Sequence, residues 1–153
     1  MKWLSPLKIK EVFKKYTQRH PETDSQAGTN ASFSNPYCQK SNEDEKTWTF
    51  SGVDTEGDNI EFIICETQLE KSPRGITLGG SAKLSDLILK DNSLTHRHAR
   101  FSYKDNNLYV EDLNSFNGTE VDGVLLKPFE PRILSSDNTL TLGEIKFTLT
   151  QKN

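Results

Sequence analysis

The sequence predicts an all-β sandwich of about ten to eleven short strands, preceded by an amphipathic helix at the N-terminus. Three observations predict the sandwich. Short apolar segments with a two-residue period recur from position 47 onward. Gly, Asp and Asn residues separate nearly all of these segments, as tight turns require. No helical apolar period interrupts them, so the fold expected for this part of the chain is a pair of antiparallel sheets.

The first twenty residues predict a basic amphipathic helix. Ser5 can cap the first backbone donors, and Pro6 suits the first helical position. Apolar residues then recur at helical spacing: Ile9, Val12, Phe13 and Tyr16. Six basic residues accompany a single acidic residue, Glu11, in this segment. Residues 6–19 are therefore expected to dock on a membrane surface or a partner protein. Packing on the sandwich or on another subunit would use the same apolar stripe, and the pattern supports both alternatives equally.

A flexible linker is predicted between this helix and the sandwich. Residues 21–46 are rich in Ser, Asn and acidic side chains and show no apolar period. Such a composition buries too little apolar surface to offset the entropy of ordering. The sequence thus divides into a basic helix at 1–20, a linker at 21–46 and a sandwich domain at 47–150.

The strands of the sandwich are predicted from alternation. The first apolar segment contains Trp48 and Phe50, and a turn-rich stretch at 54–58 separates it from the next segment. Ile145, Phe147 and Leu149 share one face of the last strand. The other predicted strands are 60–64, 76–78, 87–89, 99–103, 108–110, 119–121 and 124–126.

Composition narrows the function classes. The formal net charge is -3 although the first twenty residues are basic, so the remainder of the chain is acidic. An acidic domain is not expected to bind nucleic acid, because the phosphates require a basic surface. No apolar run is long enough to span a membrane or to form a signal peptide. Cys38 and Cys65 do not form the dense spacing of a disulfide scaffold, so we expect a reducing, cytoplasmic location, peripheral at a membrane if the helix binds there.

Three loops carry most of the polar side chains that suit an anionic ligand. They are residues 79–86, 91–98 and 113–119. Together they offer hydroxyls, amides, imidazoles and a guanidinium, which can all donate hydrogen bonds. Loops at one end of a sandwich commonly carry function, because the strands hold them in place. We therefore expect the ligand site at this end.

The order of motifs resembles the forkhead-associated family. The chain has a Gly-Gly pair after a strand, an Asp-Leu-Ile-Leu strand, a Thr-His-Arg-His box and an Asp-Leu-Asn-Ser-Phe-Asn-Gly-Thr segment. These motifs lie at 79–80, 86–89, 95–98 and 112–119, and Leu-Thr-Leu-Gly follows at 140–143. The resemblance covers roughly residues 48–149. It is specific because the motifs occur together, in order and at the family's spacing.

This resemblance implies that the end loops recognise phosphothreonine in a partner protein or peptide. Thr95 matches the family's phosphate-contacting serine, and His96 follows it where a polar side chain contacts ligand. Asn117 matches the asparagine that holds the peptide backbone. Phe116 replaces the small Thr or Ser that normally contacts the phosphothreonine. A phosphate carries about -1.5 to -2 charge, so it requires several donors at such a site.

The main departure from the family is Gly80, where the family has a phosphate-binding arginine. Losing a charge-assisted hydrogen bond of roughly 1.5 to 3 kcal/mol weakens binding about ten- to a hundredfold. Lys83, Arg97 and Arg74 are the candidate substitutes, and protonated His96 is another. Lys83 and Arg97 therefore join the predicted phosphopeptide-binding residues.

The remaining motif residues are given structural roles. Gly79 and Gly80 are expected in a tight turn, and Gly118 is expected at a positive φ. The resemblance implies that His98 braces neighbouring loops. His96 and His98 together supply too few ligands for zinc, so neither a metal site nor a cofactor is expected.

The function expected from the sequence is that of a non-catalytic adaptor. The alternative is a degenerate forkhead-associated (FHA) domain that acts as a phosphate-independent protein-interaction or structural module, since Gly80 and Phe116 both depart from the family pattern. Ser93, His98 and Asp112 could in principle form a catalytic triad, but nothing else in the sequence resembles a hydrolase. We therefore do not expect an enzyme.

Overall fold

The computed structural model describes residues 44–153. Within this range eleven strands form two sheets, which confirms the predicted sandwich. The strands are β1 Thr47–Val53, β2 Asn59–Cys65, β3 Ile76–Gly79, β4 Leu87–Ile88, β5 Ala99–Lys104, β6 Asn107–Asp112, β7 Thr119–Val121, β8 Val124–Leu125, β9 Arg132–Leu134, β10 Thr139–Leu142 and β11 Ile145–Lys152. The predicted helix at 6–19 and the linker up to residue 43 lie outside the described residues.

The two sheets pack face to face. One has six strands in the order β2-β1-β11-β10-β7-β8, and the other has five in the order β4-β3-β5-β6-β9. Strands β3 and β4 run parallel, while the remaining pairs are antiparallel. Burial alternates along β11, where Ile145, Phe147 and Leu149 point into the core. This alternation is the signal from which the strand was predicted.

An aromatic cluster lies at the centre of the core. The rings of Phe50 and Phe62 stack with their centroids 4.4 Å apart. Phe147 meets the Phe62 ring edge-on at 5.2 Å, and Phe101 packs against Phe50 at 5.3 Å. Phe101 belongs to the five-stranded sheet and the other three to the six-stranded sheet, so the cluster joins the two sheets.

Two elements of the sandwich were not predicted. The short helix α1, Glu66–Glu70, follows β2 directly and buries Leu69. At five residues it is too short to show a helical period in sequence. Strand β9, Arg132–Leu134, has a single buried residue, Leu134, so its three residues show no alternation that could reveal it.

Two observations bear on location. Cys65, the last residue of β2, is fully buried and disulfide-bonded. A disulfide favours an oxidising environment, so the reducing setting inferred from cysteine spacing has no support from the structure. Among residues 44–153, no helix has the length and apolarity needed to cross a bilayer. Docking of residues 6–19 and a cytoplasmic location stay predictions.

Candidate functional site

Strand pairing brings three loops together at one end of the sandwich. Ala99, the first residue of β5, pairs with Asp112, the last residue of β6. Ala99 also pairs with Leu78, one residue before the end of β3. The segments that follow β3, precede β5 and follow β6 therefore emerge side by side. These are the three loops that the sequence singled out.

An open cleft lies between two of these loops. Its volume is about 270 Å³, and it is lined by Asn92, Ser93, Leu94, Thr95, His96, Phe116 and Asn117. Four of the predicted peptide-contacting residues, Thr95, His96, Phe116 and Asn117, thus share one cleft. The other two, Lys83 and Arg97, are exposed but do not line it. Arg74 precedes β3, at the opposite end of that strand from the cleft.

Thr95 lines the cleft and is held in place by two hydrogen bonds. Its Oγ1 accepts a hydrogen bond of 2.8 Å from the backbone N–H of Phe116. Its carbonyl accepts a hydrogen bond of 3.0 Å from the N–H of Gly80. Among the described residues, the hydroxyl proton of Thr95 has no acceptor. A hydroxyl that accepts one hydrogen bond can still donate its proton, so Thr95 can serve an anionic ligand.

Asn117 is placed beside Thr95 by the loop after β6. Its Nδ2 donates to the carbonyl of Ser93 over 2.8 Å, which joins the two loops. Within residues 44–153, its Oδ1 makes no hydrogen bond. The exposed Oδ1 is therefore able to accept an N–H from a peptide backbone.

His98 connects the loops beneath the cleft and is fully buried. Its Nδ1 accepts from the N–H of Thr95 at 3.2 Å, and its Nε2 donates to the carbonyl of Gly118 at 2.8 Å. Burial lowers the pKa of His98 below its ordinary value, against smaller raising effects from the Gly118 carbonyl and the charge of Asp112. Both ring nitrogens are thus engaged inside the protein.

Asp112 holds the loop after β6 and is 2% exposed. Its Oδ1 accepts from the hydroxyl of Thr119 at 2.7 Å and from the hydroxyl of Ser115. Its Oδ2 accepts the backbone N–H of Ser115 at 3.1 Å. These bonds fix the turn that carries Phe116 and Asn117.

The three residues of the hypothetical catalytic triad are not connected to one another as a triad would be. The hydroxyl of Ser93 bonds to Asp91 and to the N–H of Glu144. The ring of His98 is occupied by backbone groups, as described above. The arrangement of these side chains therefore offers no activated serine nucleophile.

Two adjacent glycines on the other side of Thr95 differ in their surroundings. Gly79 is the last residue of β3, so the tight turn expected there is wrong. A Cβ on Gly79 would lie 2.2 Å from the carbonyl oxygen of His96, so any residue with a side chain would clash with the backbone there. A Cβ on Gly80 would find its nearest atom, the carbonyl oxygen of Leu94, at 3.5 Å. Position 80 therefore accepts a Cβ without a steric clash, whereas position 79 does not.

Gly118 has a φ of +86°, as the turn predicted for it requires. A Cβ there would also approach Leu125 Cδ1 to 2.6 Å. Glycine at this position thus permits both the turn and the close packing of β8 beneath it.

Three carboxylates that do not line the cleft lie in the turn between β1 and β2. One oxygen from each of Asp54, Glu56 and Asp58 lies within 4.8 Å of the others. Oδ1 of Asp54 accepts the backbone N–H groups of Glu56 and Asp58, at 3.0 Å and 2.9 Å. This pattern is that of an Asx turn, which accounts for the grouping without an ion.

Sequence reasoning did not assign Asn92 and Leu94 to the cleft and gave Asp91 no role. Asp91 accepts the N–H and the hydroxyl of Ser93, two residues later. The Asp-x-Ser spacing is a signal for such a turn and could have indicated it. For Asn92 and Leu94 no sequence signal exists, because loop residues follow no period.

Comparison with known proteins confirms the resemblance on which the expectations rest. Residues 76–143 match the model of the FHA domain. The match covers β3 to β10 and includes all three loops of the candidate site. Residues 76–143 are thus similar to the FHA domain.

Two curated bacterial proteins are similar over about half of this chain. The oxoglutarate dehydrogenase inhibitor of Corynebacterium diphtheriae is 33% identical over 73 residues, which are 48% of this chain and 49% of that protein. The glycogen accumulation regulator GarA of Mycobacterium tuberculosis is 30% identical over 73 residues, 48% of this chain and 43% of GarA. The similarity therefore spans about half or less of each relative.

A solved structure supports the fold. The FHA domain of the CT664 protein from Chlamydia trachomatis has a TM-score of 0.55 to this chain at 24% identity. The match covers 70% of this chain and 99% of the other. At this identity the likeness establishes the sandwich and its topology, while the ligand must be inferred from the residues of the site.

Proposed function

We propose that this chain is a non-catalytic adaptor whose FHA domain binds a phosphothreonine-containing protein. The observation that carries the proposal is the meeting of Thr95 and Asn117 in one open cleft. Thr95 presents an unused hydroxyl proton and Asn117 an unused amide oxygen, judged within residues 44–153. The first suits a phosphate oxygen, and the second suits the peptide backbone beside it.

The donors of the cleft suit a phosphate group. Besides the Thr95 hydroxyl, the backbone N–H of His96 makes no hydrogen bond to any described residue. The imidazole of His96 is exposed at the same rim. A hydroxyl, a backbone N–H and an imidazole nitrogen together match the three acceptor oxygens that a phosphate offers.

The affinity of this site is expected to be low for an FHA domain. Gly80 supplies no guanidinium, and neither Lys83 nor Arg97 lines the cleft. A charge-assisted hydrogen bond contributes roughly 1.5 to 3 kcal/mol, so its absence weakens binding by about ten- to a hundredfold. Binding therefore depends more heavily on Thr95 and Asn117 than in a domain that has the arginine.

The test compares two peptide pools with randomised flanks, one with central phosphothreonine and one with central threonine. The wild-type chain should bind only the phosphorylated pool. Thr95→Ala should weaken this binding about tenfold, since it removes a hydrogen bond to a charged group. Thr150→Ala, an exposed position on β11 remote from the cleft, is the matched control and should bind as the wild type does. Equal binding of both pools would exclude phosphate recognition.

A second candidate function is phosphate-independent protein binding at the same end of the sandwich. Phe116 favours it, because its side chain is 92% exposed at the rim of the cleft. A partner that covered this ring would gain apolar contact without needing a phosphate. In that case Phe116→Ala would abolish partner binding, whereas Thr95→Ala and phosphatase treatment of the partner would leave it unchanged.

A further inference from the structure

Ser93 joins three segments of the chain at the wall of the cleft and is 6% exposed. Its carbonyl accepts the Asn117 amide at 2.8 Å. Its hydroxyl accepts the backbone N–H of Glu144, in the turn between β10 and β11, at 3.1 Å. The same hydroxyl donates to Oδ1 of Asp91 at 2.7 Å. The placement of Asn117 therefore depends on how Ser93 itself is held.

Asp91 bonds to Ser93 and also to a turn that is distant in sequence. Its Oδ1 accepts both the N–H of Ser93, at 2.9 Å, and the hydroxyl of Ser93. Its Oδ2 accepts the N–H of Thr55 at 3.0 Å and the hydroxyl of Thr55 at 2.7 Å. Thr55 lies in the turn between β1 and β2, which belong to the other sheet. One carboxylate thus receives four donors from two parts of the chain.

Only an ionised carboxylate can accept four hydrogen bonds in this arrangement, because a protonated acid or an amide would direct a donor at another donor. Burial alone would raise the pKa of Asp91, but the hydrogen bonds from Thr55 and Ser93 outweigh it and lower the pKa. Asp91 is therefore charged at neutral pH.

We propose that Asp91 is a positioning residue of the binding site, acting through Ser93 on the side-chain amide of Asn117. Its importance for ligand binding rests on the proposed function, whereas its action on Asn117 can be measured in the free protein. The proposal goes beyond a local turn, because Thr55 and Ser93, from two parts of the chain, both donate hydrogen bonds to the carboxylate.

The first test records the side-chain amide resonances of Asn117 by NMR in the ligand-free chain. Asp91→Asn should shift them clearly, because an amide has a single oxygen and can no longer accept donors from Ser93 and Thr55 at the same time. The matched control is Asp122→Asn, since Asp122 likewise accepts hydrogen bonds from a turn, through Thr139 and Asn138, but at the far end of β7. Unchanged Asn117 resonances in Asp91→Asn would overturn the proposal.

A second variant tests the same connection with a smaller change, in case Asp91→Asn does not fold. Thr55→Val keeps the size of the side chain but removes the hydroxyl that donates to Asp91. It should shift the Asn117 amide in the same direction as Asp91→Asn does, by a smaller amount. An effect limited to residues around Thr55 would also count against the proposed connection.

The third test is a double-mutant cycle with a phosphothreonine peptide. Asp91→Asn should weaken binding about fivefold in the wild-type background and have no further effect when combined with Asn117→Ala. Independent, additive losses would overturn the action through Asn117. If the wild type binds no phosphopeptide, the proposed function fails, and the amide resonances alone decide whether Asp91 positions Asn117.

Discussion

The base and the rim of the site differ in how completely their polar groups are satisfied. At the base, His98 and Asp112 are buried, and both bond to neighbouring loop residues. At the rim, Thr95 and Asn117 each keep one polar group without a partner among the described residues. A buried group without a partner destabilises a fold, whereas an exposed one is available to a ligand.

The departures from the family pattern fall on the rim. Gly80 and Phe116 change what a ligand would touch, while His98, Gly79 and Gly118 keep the loops together. The loops of the site are therefore held together, while the groups proposed to contact phosphate are fewer than the family pattern provides. Substitutions at the base should change stability, and substitutions at the rim should change binding. The following variants test this division, beginning with the largest expected effect.

Gly79→Ala should be the most damaging of these changes. The new methyl would lie 2.2 Å from the carbonyl oxygen of His96, and a backbone atom cannot move cheaply. We expect a loss of about 3 kcal/mol in the free energy of unfolding, measured by urea denaturation. Gly80→Ala is the matched control and should change it by less than about 0.5 kcal/mol. Equal losses would contradict the close approach at Gly79.

Gly80→Arg should raise the affinity for a phosphothreonine peptide about ten- to a hundredfold, because it restores a charged donor beside Thr95. A Cβ at position 80 would have its nearest atom, the carbonyl oxygen of Leu94, at 3.5 Å, which is an ordinary contact distance. Calorimetric titration would measure the gain. Gly80→Gln, of similar length but uncharged, should produce little of it; an equal gain from both variants would mean that the charge is not responsible.

His98→Asn should lower the free energy of unfolding by about 1 to 2 kcal/mol at pH 7, because a backbone group of Thr95 or Gly118 loses its partner. The substitution should also change how the free energy of unfolding depends on pH. The pKa of His98 is lower in the folded chain than its ordinary 6.5, so below that pH the unfolded chain binds a proton more readily. Wild-type stability therefore falls as pH drops below 6.5.

Urea denaturation at several pH values between about 5 and 8 would measure how protonation of His98 changes the free energy of unfolding. The decline of stability with acid should be shallower in His98→Asn than in the wild type. His96→Asn, at the exposed neighbouring histidine, is the control and should keep the wild-type slope. Identical slopes in the wild type and His98→Asn would show that the burial of His98 does not govern the acid response.

Phe116→Thr should have the smallest effect. The ring is 92% exposed, so its removal should change the free energy of unfolding by less than about 0.5 kcal/mol. A hydroxyl at this position adds a donor near the phosphate, and a gain of about three- to tenfold in phosphopeptide affinity is expected from one hydrogen bond. Loss of binding would instead favour the phosphate-independent function.

The strands and their turns were predictable because they depend on local patterns. Alternation identified β11, and the Asp122-Gly123 pair identified a turn in which both residues have positive φ, 51° and 76°. The helix Glu66–Glu70 was missed because its five residues show no period and its one buried residue, Leu69, depends on tertiary packing.

The site was predictable only in part. Its loops followed from their composition and from the family resemblance, and four of the predicted contact residues share the cleft. The orientation of Lys83 and Arg97 could not be predicted, since loop side chains follow no period. The role of Asp91 depends on Thr55, 36 residues away in sequence, and such a contact leaves no local signal.

The most direct test of phosphate recognition at this end is an NMR titration of the isotope-labelled chain with one phosphothreonine peptide and its unphosphorylated twin. The account predicts that the phosphorylated peptide shifts the backbone amides of Thr95, His96 and Asn117 most strongly, and that its twin leaves them in place. Shifts confined to other parts of the sandwich, or equal shifts with both peptides, would contradict it.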